Sequence, residues 1–201
     1  MVVHHNLVKD YEKLHPKLKD RYNRAFVAEG MMEEIGGGTK FIRFLFRLGP
    51  LFRCFFPERG KDIPFRIVNE PFTTSKGEEG LHWFRTFYFP QKERYFDADM
   101  VIDRESHRVL DYFGQPRILM SELHFTVTEN RCLHIQSGKQ KCLFAGREWP
   151  LPSWLYGMSD VTEGYDEDTE EFTIHVIVKN RIFGTLFTYK GRFTEKGVSD
   201  E

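Results

Sequence analysis

The stretch "LHWFRTFYF", residues 81–89, alternates along its length in the way that is typical of a β-strand. Leu81, Trp83, Arg85 and Phe87 fall on one side, and aromatic residues occupy the other side as well. A strand that is apolar on both sides is usually covered on both faces. The sequence therefore predicts that Arg85 lies inside the protein, among aromatic rings.

The period of two continues through most of the chain after residue 64. It predicts an antiparallel meander over 64–144 and a C-terminal hairpin over 171–193. An open sheet of this size would leave two exposed edges. We therefore expect a strongly curved antiparallel sheet or barrel of about seven to nine strands.

The segment 145–170 is long for a hairpin connection and is predicted to be a capping loop. Its first half contains Trp149, Trp154 and Leu155. Each of these side chains would forgo about 1.5–3 kcal/mol of burial free energy if it stayed in water. We expect all three to pack against one end of the barrel.

The first third of the chain is predicted to be partly helical. Apolar residues at spacings of three and four predict an amphipathic helix over 6–24, with a break near His15 because Pro16 follows it. A strand is predicted over 25–35. A second helix over 39–55 is expected to pack on the barrel or to plug it, which makes the predicted fold α+β.

Composition and charge restrict the class of protein. A length of 201 residues predicts one domain over 1–201. With 29 basic and 30 acidic residues the net charge is −1, which argues against nucleic-acid binding. The N-terminus lacks the pattern of a secretory signal, so a cytoplasmic location is expected. Three cysteines in a reducing compartment predict free thiols.

The sequence contains no pattern that predicts a catalytic residue, a metal site or a cofactor. A guanidinium inside the barrel needs compensation, and we expect Arg85 to meet Glu70, Glu122, backbone carbonyls or a ligand anion. The leading hypothesis is a non-enzymatic binding module for a small amphipathic ligand in a barrel cavity. Its candidate ligand-binding residues are Trp83, Arg85, Phe87, Glu122, His124, Trp154, His175 and Tyr189.

Three other interpretations stay open. The aromatic loop 149–156 is also typical of a protein-interaction module. An enzyme acting on a lipid-like substrate would use His124 or His175 beside an acid. The basic helix 40–53 would allow peripheral contact with an anionic membrane.

Several short strings resemble the bacterial DUF4166 family, a domain of unknown function. They are "LHPKL" (14–18), "GMMEEIGGG" (30–38), Trp83 followed by Arg85, "LPSWLYG" (151–157) and "GTLFTYKGRF" (184–193). The resemblance covers nearly the whole chain. Family members also occur fused to saccharopine-dehydrogenase-like reductase domains, which implies a module that serves a partner domain. It implies no catalytic residue, and both lipocalin-like and helix-grip folds are compatible with the pattern.

Overall fold

The computed structural model describes residues 7–196, and thirteen β-strands account for more than half of this range. The strands are β1 (Val8–Lys9), β2 (Phe26–Gly36), β3 (Gly60–Thr73), β4 (Glu79–Phe89), β5 (Lys92–Tyr95), β6 (Ala98–Asp103), β7 (Arg108–Phe113), β8 (Leu119–Val127), β9 (Leu133–Phe144), β10 (Arg147–Pro150), β11 (Met158–Asp166), β12 (Glu171–Asn180) and β13 (Gly184–Glu195).

Ten of these described strands close into an antiparallel barrel. Their order around the ring is β8, β7, β6, β4, β3, β2, β13, β12, β11 and β9. The ring closes where β9 pairs with β8, with Phe125 opposite Ile135. The other three strands lie outside it: β1 runs parallel to β8, β5 pairs with β4, and β10 pairs with β9.

The predicted curved antiparallel barrel is confirmed, but two parts of the prediction are wrong. The barrel has ten strands within residues 7–196, not seven to nine. The fold is also mostly β rather than α+β, because the helical segments are short and lie at the two ends of the barrel.

Phenylalanine side chains fill much of the barrel interior. Phe65 on β3 contacts Phe87 on β4 and Phe193 on β13, with ring centroids 5.0 and 6.0 Å apart. Phe193 also stacks on Phe172 at 5.6 Å. All four are buried. Rings that alternate with outward residues along neighbouring strands thus form one continuous core.

A short helix, α1 (Pro16–Arg21), closes one end of the barrel, which we call the floor. The sequence predicts a helix over 6–24, whereas the structure has a 3-10 turn over Tyr11–Lys13 and then α1. The interruption falls at His15, as the following proline predicts. His15 Nδ1 caps the helix by accepting a hydrogen bond from the backbone N–H of Lys17 at 3.2 Å.

A buried ion pair joins the floor to the barrel wall. Arg21 Nη1 donates to Glu163 Oε2 at 2.9 Å, and the Tyr22 hydroxyl donates to the same oxygen at 2.8 Å. The Arg21 guanidinium also lies 5.2 Å from the Trp83 ring and 4.9 Å from the Phe193 ring. Burial and the Glu163 carboxylate raise the pKa of Tyr22 well above its ordinary value, which keeps the hydroxyl a donor.

A second helical segment lies across the opposite end, which we call the mouth. It consists of α2 (Lys40–Leu45) and a 3-10 turn over Phe46–Phe52, and we call it the mouth helix. Thr39 Oγ1 caps it by accepting from the backbone N–H of Ile42 at 3.4 Å. Ile42 is buried, but the helix packs across the end and does not plug the interior.

The segment predicted as a loop over 145–170 contains two strands, β10 and β11, with a 3-10 turn over Ser153–Leu155 between them. The alternation of β11 escaped recognition because its inward side carries Ser159 and Glu163 among apolar residues. Within residues 7–196, no helix is long and apolar enough to cross a membrane.

Removal of the ion pair at the floor should lower the stability of the folded protein. Arg21→Met leaves the buried Glu163 carboxylate without a cation and should lower the free energy of unfolding by about 3–5 kcal/mol. Urea denaturation measures this loss. The double variant Arg21→Met with Glu163→Gln should recover part of it, because no buried charge is left unpaired.

The matched control is Arg24→Met, which removes an exposed partner of Glu195 at the same end of the barrel. That substitution should cost no more than about 1 kcal/mol. Equal losses for Arg21→Met and Arg24→Met would show that the buried pair does not hold the floor.

Candidate ligand-binding cavity

A cavity of about 250 Å³ occupies the barrel between the floor and the mouth helix. Tyr22 lines it from the floor and Phe46 from the mouth helix. Its volume is just below the roughly 300–1,000 Å³ of common ligand pockets. Most lining residues are apolar, and the polar ones are Tyr22, Arg85, Asp111, Ser121, Ser137, Gln140, Ser159, Glu163 and Tyr189.

Arg85 projects from β4 into this cavity. Its guanidinium lies 5.4 Å from the centroids of both the Trp83 and the Phe96 ring. Nη1 donates a long hydrogen bond of 3.4 Å to the Phe96 carbonyl, and Nε is buried without a partner. No carboxylate within residues 7–196 forms an ion pair with Arg85. The guanidinium therefore has unused capacity to bind an acceptor.

Asp111 is the acidic group of the same cavity. It lies on β7, between the inward residues Val109 and Phe113, and is 6% exposed. Burial raises the pKa of Asp111 to about 6, although Arg85 acts to lower it; Asp99 adds to the increase. Its Oδ1 atom has no hydrogen-bond partner among the described residues.

The polar groups nearer the mouth are already satisfied. Gln140 donates to the Gly157 carbonyl at 2.7 Å and accepts from the Gly157 N–H at 3.0 Å. Ser137 Oγ accepts from the Ser159 N–H at 2.7 Å. Among the described lining residues, the buried side-chain atoms that lack a partner are Trp83 Nε1, Arg85 Nε and Asp111 Oδ1. The unused hydrogen-bonding capacity therefore lies around Arg85.

The family described as "Domain of unknown function (DUF4166)" matches residues 14–193. The chain belongs to this family. The resemblance seen in the sequence motifs is thereby confirmed. "Uncharacterized protein YndH" of Bacillus subtilis (strain 168) is 46% identical over 198 residues, which cover 96% of this chain and 97% of YndH. No solved structure matches the chain.

In this DUF4166 chain, three of the residues predicted for the ligand site line the cavity: Trp83, Arg85 and Tyr189. Phe87 is fully buried but does not line it, because its ring packs against Phe56 at 5.1 Å. These residues come from β4 and β13, so the structure brings together only the part of the predicted site that points inward.

Three other predicted residues lie on the outer face of the barrel. His124 and His175 are exposed, and Glu122 forms an ion pair of 2.9 Å with Arg108. Glu70 is exposed as well. Of the groups expected to compensate Arg85, neither Glu70 nor Glu122 does so, whereas a backbone carbonyl, that of Phe96, accepts a hydrogen bond from it. The physical reason is that these residues alternate with apolar side chains, and the apolar side of each strand faces inward.

The aromatic loop does not bury its side chains as predicted. Trp149, Trp154 and Leu155 are 53%, 51% and 42% exposed, and Trp154 does not line the cavity. The backbone of the loop is nevertheless fixed, because Asn180 Nδ2 donates to the carbonyls of Trp154 and Tyr156 at 2.8 and 2.9 Å. The loop covers the mouth with its backbone. Trp149 and Trp154 face outward, whereas Leu155, although partly exposed, also lines the cavity.

Sequence reasoning missed Asp111, Glu163 and Tyr22. The alternation contained a signal for Asp111, since it is in phase with Val109 and Phe113 on one side of the strand. No comparable signal pointed to Tyr22, because its position depends on how α1 docks on the floor.

Asp111 should make stability depend on pH. Its pKa is raised in the folded state, so the native protein binds this proton more tightly than the unfolded chain, for which the pKa is about 3.9. The free energy of unfolding should therefore fall by about 2–3 kcal/mol as the pH rises from about 4 to about 6. Denaturation of wild type and Asp111→Asn across this range isolates that contribution.

Asp111→Asn should be the more stable of the two above pH 6, while the exposed Asp168→Asn should follow the wild type. Parallel pH profiles for wild type and Asp111→Asn would contradict the raised pKa.

Proposed function

We propose that this protein is a non-enzymatic module that binds a small amphipathic ligand in the barrel, with an anionic group of the ligand on Arg85. One observation carries the proposal: the Arg85 guanidinium lies in an apolar cavity, with one long hydrogen bond and no ion pair among the described residues. A partly buried guanidinium binds a carboxylate well because its planar donors match both oxygens.

The shape and lining of the cavity support an amphipathic ligand with an apolar tail. From Arg85 toward the mouth the walls are supplied mainly by apolar side chains, among them Phe46, Phe55, Leu155 and Leu186. A tail that fills this region replaces water at apolar surface, while the anionic head meets the guanidinium. The volume of about 250 Å³ favours a medium-length chain over a bulky ligand.

Asp111 is compatible with an anionic head group nearby. Because burial raises its pKa to about 6, the cost of protonating Asp111 near neutral pH is small. A ligand carboxylate on Arg85 disfavours the ionised form of Asp111 further. The protonated acid can then donate a hydrogen bond to the head group, and its unpartnered Oδ1 provides the site for that proton.

The closed antiparallel barrel favours the lipocalin-like alternative of the two fold types named above, since such barrels enclose one small ligand. An enzymatic role has less support. His124 and His175, the histidines that it would use, lie on the outer face and away from the cavity.

Titration of decanoate and decanol separates the charged contact from the apolar one. Wild type should bind both compounds, with decanoate favoured. Arg85→Met should weaken decanoate binding roughly 10- to 100-fold, because it removes a charge-assisted hydrogen bond of about 1.5–3 kcal/mol. Binding of decanol should be unchanged. Calorimetric titration gives both constants.

Arg66→Met is the matched control, because Arg66 lies on the neighbouring strand β3 with its side chain on the outer face. It should leave both constants unchanged, and thermal melts should show that both variants stay folded. The proposal fails if the wild type binds neither compound, or if Arg85→Met and Arg66→Met affect decanoate equally.

A further inference from the structure

We infer that the mouth of the barrel docks on an anionic lipid bilayer. The docking surface, which we call the mouth face, consists of Phe41, Phe44, Leu48 and Leu51 of the mouth helix together with Leu155 and Phe183. This inference does not depend on the proposed ligand, since it concerns the outside of the molecule.

The mouth helix is apolar on two opposite sides. Ile42 and Phe46 point toward the barrel, where Ile42 is buried and Phe46 lines the cavity. Phe44, Leu48 and Leu51 point away from it and are 63%, 64% and 73% exposed. An amphipathic surface helix normally turns its apolar side toward the core and its polar side toward water. Here the described residues cover the inner apolar side, whereas Phe44, Leu48 and Leu51 remain exposed beside the cations of the helix.

Three separate segments join into one surface at the mouth. The Phe41 ring of the mouth helix contacts the Phe183 ring at 6.0 Å. Asn180 Oδ1 accepts from the Phe183 N–H at 3.0 Å, and Asn180 Nδ2 donates to the Trp154 carbonyl at 2.8 Å. Asn180 thus holds the loop that carries Leu155 beside the loop that carries Phe183. These contacts join the mouth helix and the two loops into one surface, and Phe44, Leu48 and Leu51 are exposed on the same helical segment as Phe41.

The size of this patch is unusual for a surface that stays in water. A large aromatic side chain contributes roughly 150–250 Å² when it is covered, and Phe41 and Phe44 are more than half exposed, as are Leu48 and Leu51. The mouth face therefore presents roughly several hundred Å² of apolar surface, in the range that marks an interaction site.

The charge around the mouth face identifies its partner. The stretch 37–57 contains Lys40, Arg43, Arg47 and Arg53 and no acidic residue, in a chain whose net charge is −1. Lys40, Arg43 and Arg47 are exposed, and none of them forms an ion pair within residues 7–196. A rim of free cations around an apolar centre is complementary to anionic head groups over acyl chains.

A second copy of the chain fits the mouth face less well. A symmetric contact places the same patch of both copies together, which would bring the two sets of Lys40, Arg43 and Arg47 close to each other without an acid between them. An anionic bilayer has no such conflict. On the bilayer, the mouth helix would separate the lipid from the cavity by a single layer of side chains, since Phe46 lines that cavity.

Vesicle flotation without any added soluble ligand tests the inference. Wild type should float with vesicles of phosphatidylglycerol and phosphatidylcholine and stay behind with phosphatidylcholine alone, and added salt should weaken the binding. Arg43→Gln with Arg47→Gln should weaken binding roughly 25-fold, about fivefold for each arginine removed. Phe44→Ser with Leu48→Ser should abolish flotation.

The controls are single substitutions of the same kind, apolar to serine and arginine to glutamine, on the outer wall of the barrel. Met31→Ser removes an exposed apolar residue of β2, and Arg66→Gln removes an exposed cation of β3. Both should float like the wild type, and the altered positions of the mouth helix are exposed enough that its variants should keep the wild-type melting temperature.

Two results would overturn the assignment. The first is that the wild type does not bind the anionic vesicles, or that the mouth variants bind them as well as the wild type does. The other is a dimer in light scattering that Phe44→Ser with Leu48→Ser dissociates, which would make the mouth face a contact between copies. Neither result affects the decanoate titration, so each of the two proposals, the ligand site and the docking surface, can be contradicted without the other.

Discussion

The number of strands in the ring determines what the inside of this barrel can be. An eight-stranded barrel is just wide enough for its own side chains to fill or to hold one small ligand, and the diameter grows with the number of strands. Ten strands enclose a wider space. The chain fills much of that space with large rings, which gives a physical reason for its 20 phenylalanines. Even so, about 250 Å³ remains open.

The two ends of the barrel are closed in different ways. At the floor, Arg21 of α1 and the adjacent Tyr22 point inward, and each donates one hydrogen bond to the Glu163 carboxylate. At the mouth, the chain places apolar side chains on both sides of the mouth helix and leaves the outer ones in water. Arg85 lies between the ends, near Asp111 but without an ion pair among the described residues, and its guanidinium makes one long hydrogen bond. The floor is closed, Arg85 has unused hydrogen-bonding capacity, and the mouth is apolar. This arrangement favours a ligand whose anionic head lies at Arg85 and whose tail points toward the mouth.

Strand periodicity accounts for the part of the fold that sequence could predict. The alternation around Trp83 and Arg85 correctly placed Arg85 inside, and β2 (Phe26–Gly36) lies where a strand is expected over 25–35. A barrel could be expected from the need to avoid exposed edges, but the pair of strands that closes the ring could not, because the pairing of β8 with β9 depends on long-range register. The sequence pattern did not predict β11, because its inward side carries Glu163 for a buried ion pair and is therefore not uniformly apolar.

The candidate site was predicted less well than the fold, for a related reason. Glu122, His124 and His175 attracted attention as polar residues in strands, but their apolar neighbours Leu123, Phe125 and Ile174 compete for the interior and occupy it. Burial free energy decides which side of a strand faces inward, so an isolated polar residue is informative only when it is in phase with apolar ones. Arg85 and Asp111 meet this criterion, and Glu122 does not.

A crystal structure of the protein with a terminally brominated decanoate would show directly whether the barrel holds an anionic amphiphile on Arg85, because the anomalous signal of bromine locates the tail and the density locates the head. We expect the carboxylate about 3 Å from the Arg85 guanidinium, with the bromine near Phe46 and Leu155 at the mouth. A cavity without ligand, or a carboxylate bound only by Arg43 or Arg47 outside the barrel, would contradict it.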